Sequence, residues 1–538
     1  MLGTLDPQAE LLDAETLCGH LVPEDSIYRK LAEVGDKLFS DQDFASLYHP
    51  ARGRRSVPPS LLAKVLLLQS LEDTSDRETV ERVRCDLRWK VALGLSLTEE
   101  GFHPSLLCYF RERVRHSENP RLVFERFREV AEEAGLLSDR GIRALDSTPV
   151  LSAVQTQDTV SLIRGALRRL LRVLGVPEAN DMRARLARDD YHGVGKPPID
   201  WDDPCAREAL VDELVRDAWC ALAVLEGEVL APQVAEAAEL LATVAGQDVE
   251  EVEGRFRIRR GVAPDRVISV VDPQARHGRK SHHGHFDGYK THLAVDPDTE
   301  LVTEVAVSPA NVPDATVARE LLPELDEAPG REPAPPQAGD DGSDGEPGGS
   351  DSGITVVADS AYGSGATRAV LGEAGARLVV KAPPEQNTHG GFRKSAFRMD
   401  LSEQTATCPA GVTTTVYVSL AKGGGRFQFP AEVCASCPLR GDCTSSAEGR
   451  SVTVGPHEAL LAQARAFQAT EEFREVYRGK RPTVERVIYR VTRNGGRKAR
   501  YRGQEKVEAQ QRLKAAAENL VRMFRLGLVW GEAGWAIA

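Results

Sequence analysis

Two aspartates each follow a short apolar segment with the composition of a buried strand. Residues 353–363 read Gly-Ile-Thr-Val-Val-Ala-Asp-Ser-Ala-Tyr-Gly, and residues 141–150 read Gly-Ile-Arg-Ala-Leu-Asp-Ser-Thr-Pro-Val. Both patterns predict a strand that ends on an acid, Asp359 in the first case and Asp146 in the second. Such an acid can do chemistry at the mouth of an α/β sheet, or it can simply cap the next turn.

A third acid is needed if these aspartates serve phosphoryl transfer. Hard divalent cations prefer carboxylate oxygens, and sites with two metals about 4 Å apart draw on acids from distant parts of a chain. The candidate is Glu485, in a helix predicted to start at Pro482 with Glu485 in its first turn. Because an acid there is also an ordinary partner of the helix dipole, periodicity leaves its role open. The apolar face of this helix comprises Val484, Val487, Ile488 and Val491.

Four of the nine cysteines lie close together in sequence. Cys408, Cys434, Cys437 and Cys443 have the spacing Cys-x25-Cys-x2-Cys-x5-Cys. Four thiolates favour a closed, structural zinc site. Scattered buried cysteines and a redox pair are the alternatives.

Basic residues are concentrated locally although the net charge is -13. Residues 478–506 contain eleven Lys or Arg and two Glu, and residues 497–502 read Arg-Lys-Ala-Arg-Tyr-Arg, which suits a nucleic-acid backbone or a solvated surface. Residues 276–285 are rich in Arg, Lys and His. A metal site of His282, His283 and His285 is conceivable there, but a loop that faces phosphate is favoured.

The whole chain has the size and composition of a multidomain globular protein. Its 538 residues allow two to four domains, and no apolar stretch approaches the roughly 20 residues that span a bilayer. Without a signal-peptide pattern, a cytoplasmic location is expected. Few cysteines for this length argue against a disulfide framework.

The elements predicted around the acids are helices in the N-terminal part of the chain and a combination of strands and helices in the later part. A capping box at Ser75 is predicted to start one helix with Val80, Val83, Leu87 and Val91 inward, and Ser96–Glu99 repeats the signal. Helices 158–174, 204–225 and 232–245 form an insert. Strands are predicted at 267–271, 288–295, 301–307, 354–358 and 377–381, and helices at 311–325 and 365–374. Together they predict a mixed sheet packed against helices, compatible with a ribonuclease-H-like core.

At these residues the chain resembles the DDE transposases of bacterial insertion sequences. The resemblance covers most of the chain and follows one order of short motifs. They include Phe39-Ser-Asp-Gln-Asp-Phe-Ala, Leu145-Asp-Ser-Thr148, Asp287-Gly-Tyr-Lys-Thr-His292, Ala358-Asp-Ser-Ala-Tyr-Gly363, the four cysteines, Val484-Glu-Arg486 and Arg500-Tyr-Arg-Gly503.

The resemblance implies a ribonuclease-H-like catalytic domain whose acidic triad is Asp146, Asp359 and Glu485. Asp272 and Asp296 also end predicted strands, but their contexts, before a proline and in a hairpin turn, indicate structural roles. In related transposases a Tyr, an Arg and the Glu precede a Lys on one helical segment. Thr492 stands where that Lys is expected, and Arg493 is its replacement candidate. The residues expected to contact DNA are Tyr477, Arg481, Arg493, Arg497, Lys498, Arg500, Arg279, Lys280 and Lys290.

The implied activity is two-metal transesterification on DNA. Two Mg²⁺ (or Mn²⁺) ions held by the triad would support cutting at transposon ends and joining of the 3′ hydroxyl to target DNA, by a homodimer on DNA in the nucleoid. A structural Zn²⁺ would fill the cysteine site. A catalytically silent DNA-binding regulator and a metal-dependent nuclease remain alternatives.

The predicted domain boundaries follow from these motifs. Residues 1–138 form a helical DNA-binding domain, and residues 139–383 form the first part of the catalytic core. That part carries the helical insert 151–265 and an acidic, disordered loop at 326–353. Residues 384–470 form the cysteine insertion, and residues 471–538 complete the core with the Glu485 helix and a basic segment.

Overall fold

The computed structural model describes most of the chain. Residues 327–352 of the predicted acidic loop, and the loop histidines His282 and His283, lie outside the described residues. Those described are 1–4, 12–138, 141–193, 195–280, 284–326, 353–385 and 391–538.

The N-terminal region consists of helices that pack around an apolar core. Ser75 and Glu78 form the predicted capping box, in which the Glu78 carboxylate accepts from the Ser75 amide at 2.7 Å. The helices are α1 (Ala14–Cys18), α2 (Ile27–Leu38), α3 (Pro59–Glu72), α4 (Asp76–Cys85), α5 (Leu87–Leu93), α6 (Ser105–Arg115) and α7 (Leu122–Glu133).

Two helix predictions in this region are wrong. The helix that starts after Ser75 ends at Cys85, because Asp86 turns the chain and caps α5 by accepting from the Arg88 amide at 3.0 Å. Leu87, expected inward, is therefore 41% exposed. No helix starts at Ser96: residues 97–104 are not helical, and the Ser96 hydroxyl pairs with that of Thr98 at 3.0 Å.

After strand β1 (Ile142–Leu151) comes a largely helical insert with its own apolar core. Asp158 caps its first helix by accepting from the Ser161 amide at 2.8 Å. The sequence did not predict the second helix or the short hairpin. The elements are α8 (Thr159–Val173), α9 (Val176–Arg185), α10 (Pro204–Leu225), α11 (Pro232–Gln247), β2 (Val249–Val252) and β3 (Arg255–Ile258).

The strand predicted at 267–271 does not form. Side chains take the backbone hydrogen bonds that a neighbouring strand would make: Gln247 Oε1 accepts from the Val267 amide at 2.9 Å. Gln157 Oε1 likewise accepts from the Val270 amide at 2.8 Å. Val267, Ile268 and Val270 are buried whereas Val271 is exposed, and glutamine side chains rather than a neighbouring strand satisfy backbone amides of this segment.

The central sheet is mixed, so the fold is α/β. Its strands beyond β1 are β4 (Arg276–Arg279), β5 (His285–Val295), β6 (Val302–Pro309), β7 (Thr355–Ala358) and β8 (Arg377–Val380), with helix α12 (Gly365–Glu373) between the last two. The order is β5-β1-β7-β8, and both β4 and β6 pair with β5. Strands β1, β7 and β8 are parallel, whereas β5 is antiparallel to β1, β4 and β6.

Two sheet-side predictions need correction. Strand β1 does not close on Asp146 but continues to Leu151, because β5 pairs with it as far as Leu151 and Gly288. The helix predicted at 311–325 is replaced by short 3₁₀ turns at Asp314–Val317 and Pro323–Leu325. Asp314 does not cap a helix, since its carboxylate accepts from the Ser147 hydroxyl at 2.6 Å.

The cysteine-containing region is built from two small three-stranded sheets. They share an apolar cluster that includes Phe397, Phe427 and Phe429. The elements are β9 (Arg398–Asp400), β10 (Thr405–Thr407), β11 (Thr413–Thr414), β12 (Tyr417–Ser419), β13 (Gly425–Gln428), α13 (Ala431–Ala435) and β14 (Ser451–Val454).

Long helices complete the chain and join its two main parts. They are α14 (Glu458–Gln468), α15 (Glu471–Arg493) and α16 (Gln504–Arg525), followed by the hairpin β15 (Leu528–Gly531) and β16 (Gly534–Ile537). Helix α16 packs against α3, α7 and β6, so the N-terminal helices and the sheet share one core. No helix in the described ranges is long and apolar enough to cross a membrane.

The start predicted for the Glu485 helix is wrong. Helix α15 begins at Glu471, capped by Thr470, and contains Pro482 in its interior. The proline removes one backbone hydrogen bond. The buried apolar face on both sides of it, from Phe473 to Val491, keeps the helix continuous. Glu485 therefore lies in the middle of a helix rather than near its positive end.

Candidate active site

The two aspartates lie side by side where the parallel pairing of β1 and β7 ends. The last paired residues of β1 and β7 are Leu145 and Ala358, so Asp146 and Asp359 follow in neighbouring positions. Adjacent strands are about 4.8 Å apart, which brings the two carboxylates close together. Asp146 accepts from the Ser147 amide at 2.8 Å, and Asp359 accepts from the Ala361 amide at 2.9 Å.

Glu485 reaches the same edge from α15, which packs across β1 and β7. One turn earlier on that helix, the buried guanidinium of Arg481 connects the acids. Its Nη2 lies 2.8 Å from Asp146 Oδ2, and its Nη1 lies 3.3 Å from Glu485 Oε1. The Glu485 side chain is 66% exposed, so it faces solvent at the mouth of the site. We call Asp146, Asp359 and Glu485 the carboxylate cluster.

Electrostatics links all three acids to one tyrosine. Partial burial raises the pKa of Tyr477, and the negative charges of Asp359, Asp146 and Glu485 raise it further against the lowering effect of Arg481. Burial also raises the pKa of Asp146, with a contribution from Asp359, although Arg481 opposes it. The described geometry thus brings the three predicted acids together around Tyr477 and Arg481.

A buried network supports the loop that carries Asp359. Tyr362, three residues further on, is fully buried and hydrogen-bonds His292 Nδ1 at 3.0 Å. His292 Nε2 hydrogen-bonds the Ser308 hydroxyl at 2.9 Å. Burial lowers the pKa of His292 to about 4, so this histidine is neutral near pH 7. The network ties the Asp359 loop to β5 and β6.

A hairpin turn fixes the position of α15. Glu300, between β5 and β6, accepts from Arg486 Nη2 at 2.7 Å and from Arg490 Nη1 at 2.5 Å. Arg490 Nε also lies 2.6 Å from Glu518 on α16. These ion pairs lie on the C-terminal side of Glu485 and hold its helix against the β5–β6 turn and α16.

In the part of the chain that the structure describes, no three His, Cys, Asp or Glu side chains are arranged to hold a metal ion. In the carboxylate cluster the cation between Asp146 and Glu485 is Arg481. A metal ion that used both acids would have to compete with this guanidinium.

The four predicted zinc ligands line one small cavity of about 30 Å³. We call Cys408, Cys434, Cys437 and Cys443 the cysteine cluster. Burial raises the pKa of Cys443, and its three cysteine neighbours add to this effect while Arg450 opposes it. The sequence spacing therefore corresponds to spatial proximity, although the thiols do not stand in a metal-ligating arrangement.

The predicted DNA-contacting residues fall into two groups. Several are ion-paired: Lys290 with Asp314, Arg500 with Asp73 at 2.7 Å, and Arg493 with Glu518 at 4.0 Å. The exposed residues without an ion pair in the described ranges are Arg279, Lys280, Arg497 and Lys498.

Tyr477 and Thr492 have local partners on α15. Tyr477 stacks on Phe473 with ring centroids 5.3 Å apart. Thr492, at the position expected for Lys, is buried and donates to the Ile488 carbonyl at 2.7 Å.

The two alternative acids have local partners. Asp272 accepts from the Tyr289 hydroxyl at 2.5 Å and from the Gly503 amide at 3.1 Å. Asp296 accepts from the amides of its own turn, including Thr299 at 2.8 Å. Neither contacts the carboxylate cluster.

Sequence reasoning missed the residues that support the site. His292 lies in one of the motifs and Asp314 in a predicted helix, but nothing in the pattern showed that they contact Tyr362 and Ser147. Glu300 has a left-handed backbone with φ of 61°, which an amino-acid pattern does not reveal. These contacts join residues that are far apart in the sequence, and a local amino-acid pattern carries no signal for them.

Two family models match parts of the chain. One, described as Transposase DDE domain, matches residues 407–524, which contain the cysteine cluster and Glu485. The other, described as Transposase domain (DUF772), matches residues 17–113 in the N-terminal helices. No curated protein and no solved structure matches the chain. The DDE domain toward one end of the chain and the transposase domain toward the other support a DDE transposase of an insertion sequence.

Proposed function

We propose that this transposase cuts DNA at the ends of its element and joins the freed 3′ hydroxyl to target DNA by transesterification. The observation that carries the proposal is the convergence of Asp146, Asp359 and Glu485 on Tyr477 and Arg481. Three acids from distant segments serve no evident packing purpose at a solvent-facing sheet edge. They suit phosphoryl transfer on a nucleic acid.

The catalytic core is proposed to be ribonuclease-H-like. The support is the strand order β6-β5-β1-β7-β8, in which an antiparallel half adjoins a parallel half at β1. This arrangement puts the switch in strand direction next to Asp146, where α/β sheets commonly bind ligands. The division into residues 1–138, 139–383, 384–470 and 471–538 is part of the same proposal.

The residues proposed to hold Mg²⁺ or Mn²⁺ are Asp146, Asp359 and Glu485. Transposases of the DDE type generally use divalent metal ions, and the donor set here consists of hard carboxylate oxygens. Its fit is supported by the adjacent positions of Asp146 and Asp359, since two neighbouring carboxylates are stabilised by a cation. Bound metal would activate the attacking oxygen and stabilise the leaving oxygen.

The protein's own groups would prepare and confine that chemistry. Arg481 neutralises Asp146 while no other cation is bound, and it is positioned to turn toward a DNA phosphate when Asp146 is taken by a metal. The hydrogen bond between Tyr362 and His292 anchors the Asp359 loop to β5. Glu300 holds Glu485 in place through the arginines of α15.

The cysteine cluster is proposed to hold a structural Zn²⁺. Four soft thiolate donors line one cavity and are of the type that binds this ion, and four thiolates would leave no open coordination position for a substrate. Binding would require the thiols to close around the ion and lose their protons. The ion would then stabilise two sheets whose shared apolar cluster is small.

DNA is proposed to contact the exposed cations around this edge. Arg497 and Lys498 follow α15 and pair through the backbone with Leu151 at the end of β1. Arg279 and Lys280 lie at the end of β4. Arg481, Arg493, Arg500 and Lys290 would contribute after exchanging an acidic partner for a phosphate. Since strand transfer joins two ends, two copies of the chain are proposed to act together on DNA.

The test is a cleavage assay with a duplex that carries the element's terminal repeat, in Mg²⁺ or Mn²⁺. We expect cuts at the repeat end, and strand transfer when target DNA is added. Asp359→Ala should abolish both, whereas Asp202→Ala, which removes an exposed acid of the insert, should change neither.

Other outcomes would contradict the proposal in different ways. Equal cleavage by Asp359→Ala would show that the triad is wrong. Binding of the repeat without cleavage would support a silent regulator, and cleavage without strand transfer would support a nuclease.

A further inference from the structure

Lys381 lies in one row with the two aspartates of the carboxylate cluster. It directly follows β8, whose last residue Val380 pairs with Ala358, the residue before Asp359. The Lys381 amide donates to the Ala358 carbonyl at 3.3 Å. Asp146 within β1, Asp359 directly after β7 and Lys381 directly after β8 thus lie at the same level across three neighbouring parallel strands.

The Lys381 backbone is fixed by its neighbours. A side chain on Gly363, at the end of the Asp359 loop, would collide with the Lys381 carbonyl, so loop and lysine pack without space between them. The next amide, of Ala382, donates to Gln468 Oε1 at 3.0 Å. The lysine and the Asp359 loop therefore form one rigid unit.

The ammonium group of Lys381 is held but not neutralised. Its Nζ lies 4.7 Å from the ring centroid of Tyr477, and this ring stacks on Phe473. In the described ranges Lys381 has no ion-pair partner, and its side chain is exposed. A cation–π contact at an exposed site contributes only about 0.5–1 kcal/mol, so the ammonium remains available to an anion.

The carboxylate cluster itself cannot attract a DNA backbone, because acids repel phosphates. Arg481, the cation between these acids, is engaged by Asp146 and Glu485. The unneutralised ammonium of Lys381 adds a positive charge next to the cluster, on the side of Asp359 opposite to Asp146.

We propose that Lys381 binds a backbone phosphate of the transposon-end DNA next to the phosphate that is cut. This inference rests on the proposed function and adds a residue to its DNA-binding surface. The platform of Phe473 and Tyr477 keeps the ammonium in position, and Tyr477 therefore acts on DNA through Lys381 rather than by stacking on a base.

The experiment measures binding of the terminal-repeat duplex as a function of salt concentration, together with cleavage at saturating DNA. Each phosphate contact contributes about 0.9 to the slope of log K against log salt. Lys381→Gln should lower the slope by about 0.9 and slow cleavage, and Lys381→Arg should restore both. Lys422→Gln removes an exposed lysine of the β12–β13 loop and should leave both unchanged.

Unchanged slope and cleavage in Lys381→Gln, in a protein whose parent binds and cuts the repeat, would overturn this inference alone. A parent that neither binds nor cuts the repeat would overturn the proposed function and this inference with it. Failure of Lys381→Arg to restore the slope would also contradict a phosphate contact, because arginine keeps the charge.

Discussion

The carboxylate cluster and the cysteine cluster were both predicted as metal sites, yet they are built differently. In the first, three acids from β1, the loop after β7 and α15 meet around an internal cation, Arg481. In the second, four thiols surround a cavity of about 30 Å³, and burial raises the pKa of Cys443. One cluster combines three acids with a single internal cation, whereas the other contains, among the described residues, no ionic partner other than the nearby Arg450.

This difference separates a site that the fold maintains from one that a metal must complete. Ion pairs at Glu300 and hydrogen bonds at His292 hold the carboxylate cluster with or without a metal. The cysteine cluster is supported by only a small apolar cluster, so its stability depends on the ion. Removing metal should therefore stop chemistry at one site and unfold structure at the other.

The largest effect is expected from zinc removal. A zinc chelator or Cys437→Ser should expose residues 391–454 to proteolysis and hydrogen exchange while the central sheet stays protected. Structural zinc contributes on the order of 10 kcal/mol in small domains. Cys205→Ser, at an exposed cysteine in α10, is the control. If hydrogen exchange of residues 391–454 were the same in Cys437→Ser and Cys205→Ser, the cysteine cluster would not depend on a metal, and the proposed difference between the two clusters would be wrong.

A smaller effect is expected where Arg481 competes with metal. Arg481→Gln frees Asp146 from its ion pair, so Mn²⁺ affinity without DNA should rise about tenfold, corresponding to about 1.4 kcal/mol. Arg478→Gln, one turn earlier and exposed, should leave the affinity unchanged. Titration followed by electron paramagnetic resonance measures both. Weaker Mn²⁺ binding in Arg481→Gln would show that the guanidinium is not a competitor.

The support beneath the Asp359 loop should be visible as a pH dependence of stability. His292 has a pKa of about 4 when folded and about 6.5 when unfolded, so its neutral form is favoured by folding. Stability should be full above pH 6.5 and fall as the pH decreases toward 4, by about 3 kcal/mol in total.

Urea unfolding of the parent and of His292→Asn between pH 7.5 and pH 4.5 measures this contribution. The parent should lose more stability than the variant on acidification. His116→Asn, at a histidine whose side chain is 61% exposed, should follow the parent. Parallel curves for the parent and His292→Asn would mean that His292 is not the buried neutral group described.

Local patterns predicted the strands that carry the two aspartates but not the elements around them. These strands could be predicted because buried strands have a recognisable composition, and parallel pairing of Leu145 with Ala358 then makes Asp146 and Asp359 neighbours. The start of α15 was wrong because Pro482 looks like a first-turn residue, whereas tertiary packing holds the helix through it. The strand predicted at 267–271 does not form, because two glutamine side chains accept the backbone hydrogen bonds that a neighbouring strand would accept.

Contacts between distant segments could not be predicted at all. The Arg481–Asp146 pair joins α15 to β1, and no spacing rule relates these two positions. The cysteine spacing predicted proximity correctly because three of the four residues are close in sequence, but spacing cannot reveal whether thiols point at one centre. Predictions were most successful where one short segment determines its own geometry.

The central claim is that Asp146, Asp359 and Glu485 hold one metal centre, and affinity cleavage by Fe²⁺ tests it most directly. Fe²⁺ bound in place of Mg²⁺ cuts the nearby backbone when ascorbate and peroxide are added. We expect simultaneous cuts near residues 146, 359 and 485 that excess Mg²⁺ suppresses and that Asp359→Asn abolishes. Cuts at only one of these segments, or the same cuts in Asp359→Asn, would contradict a shared site.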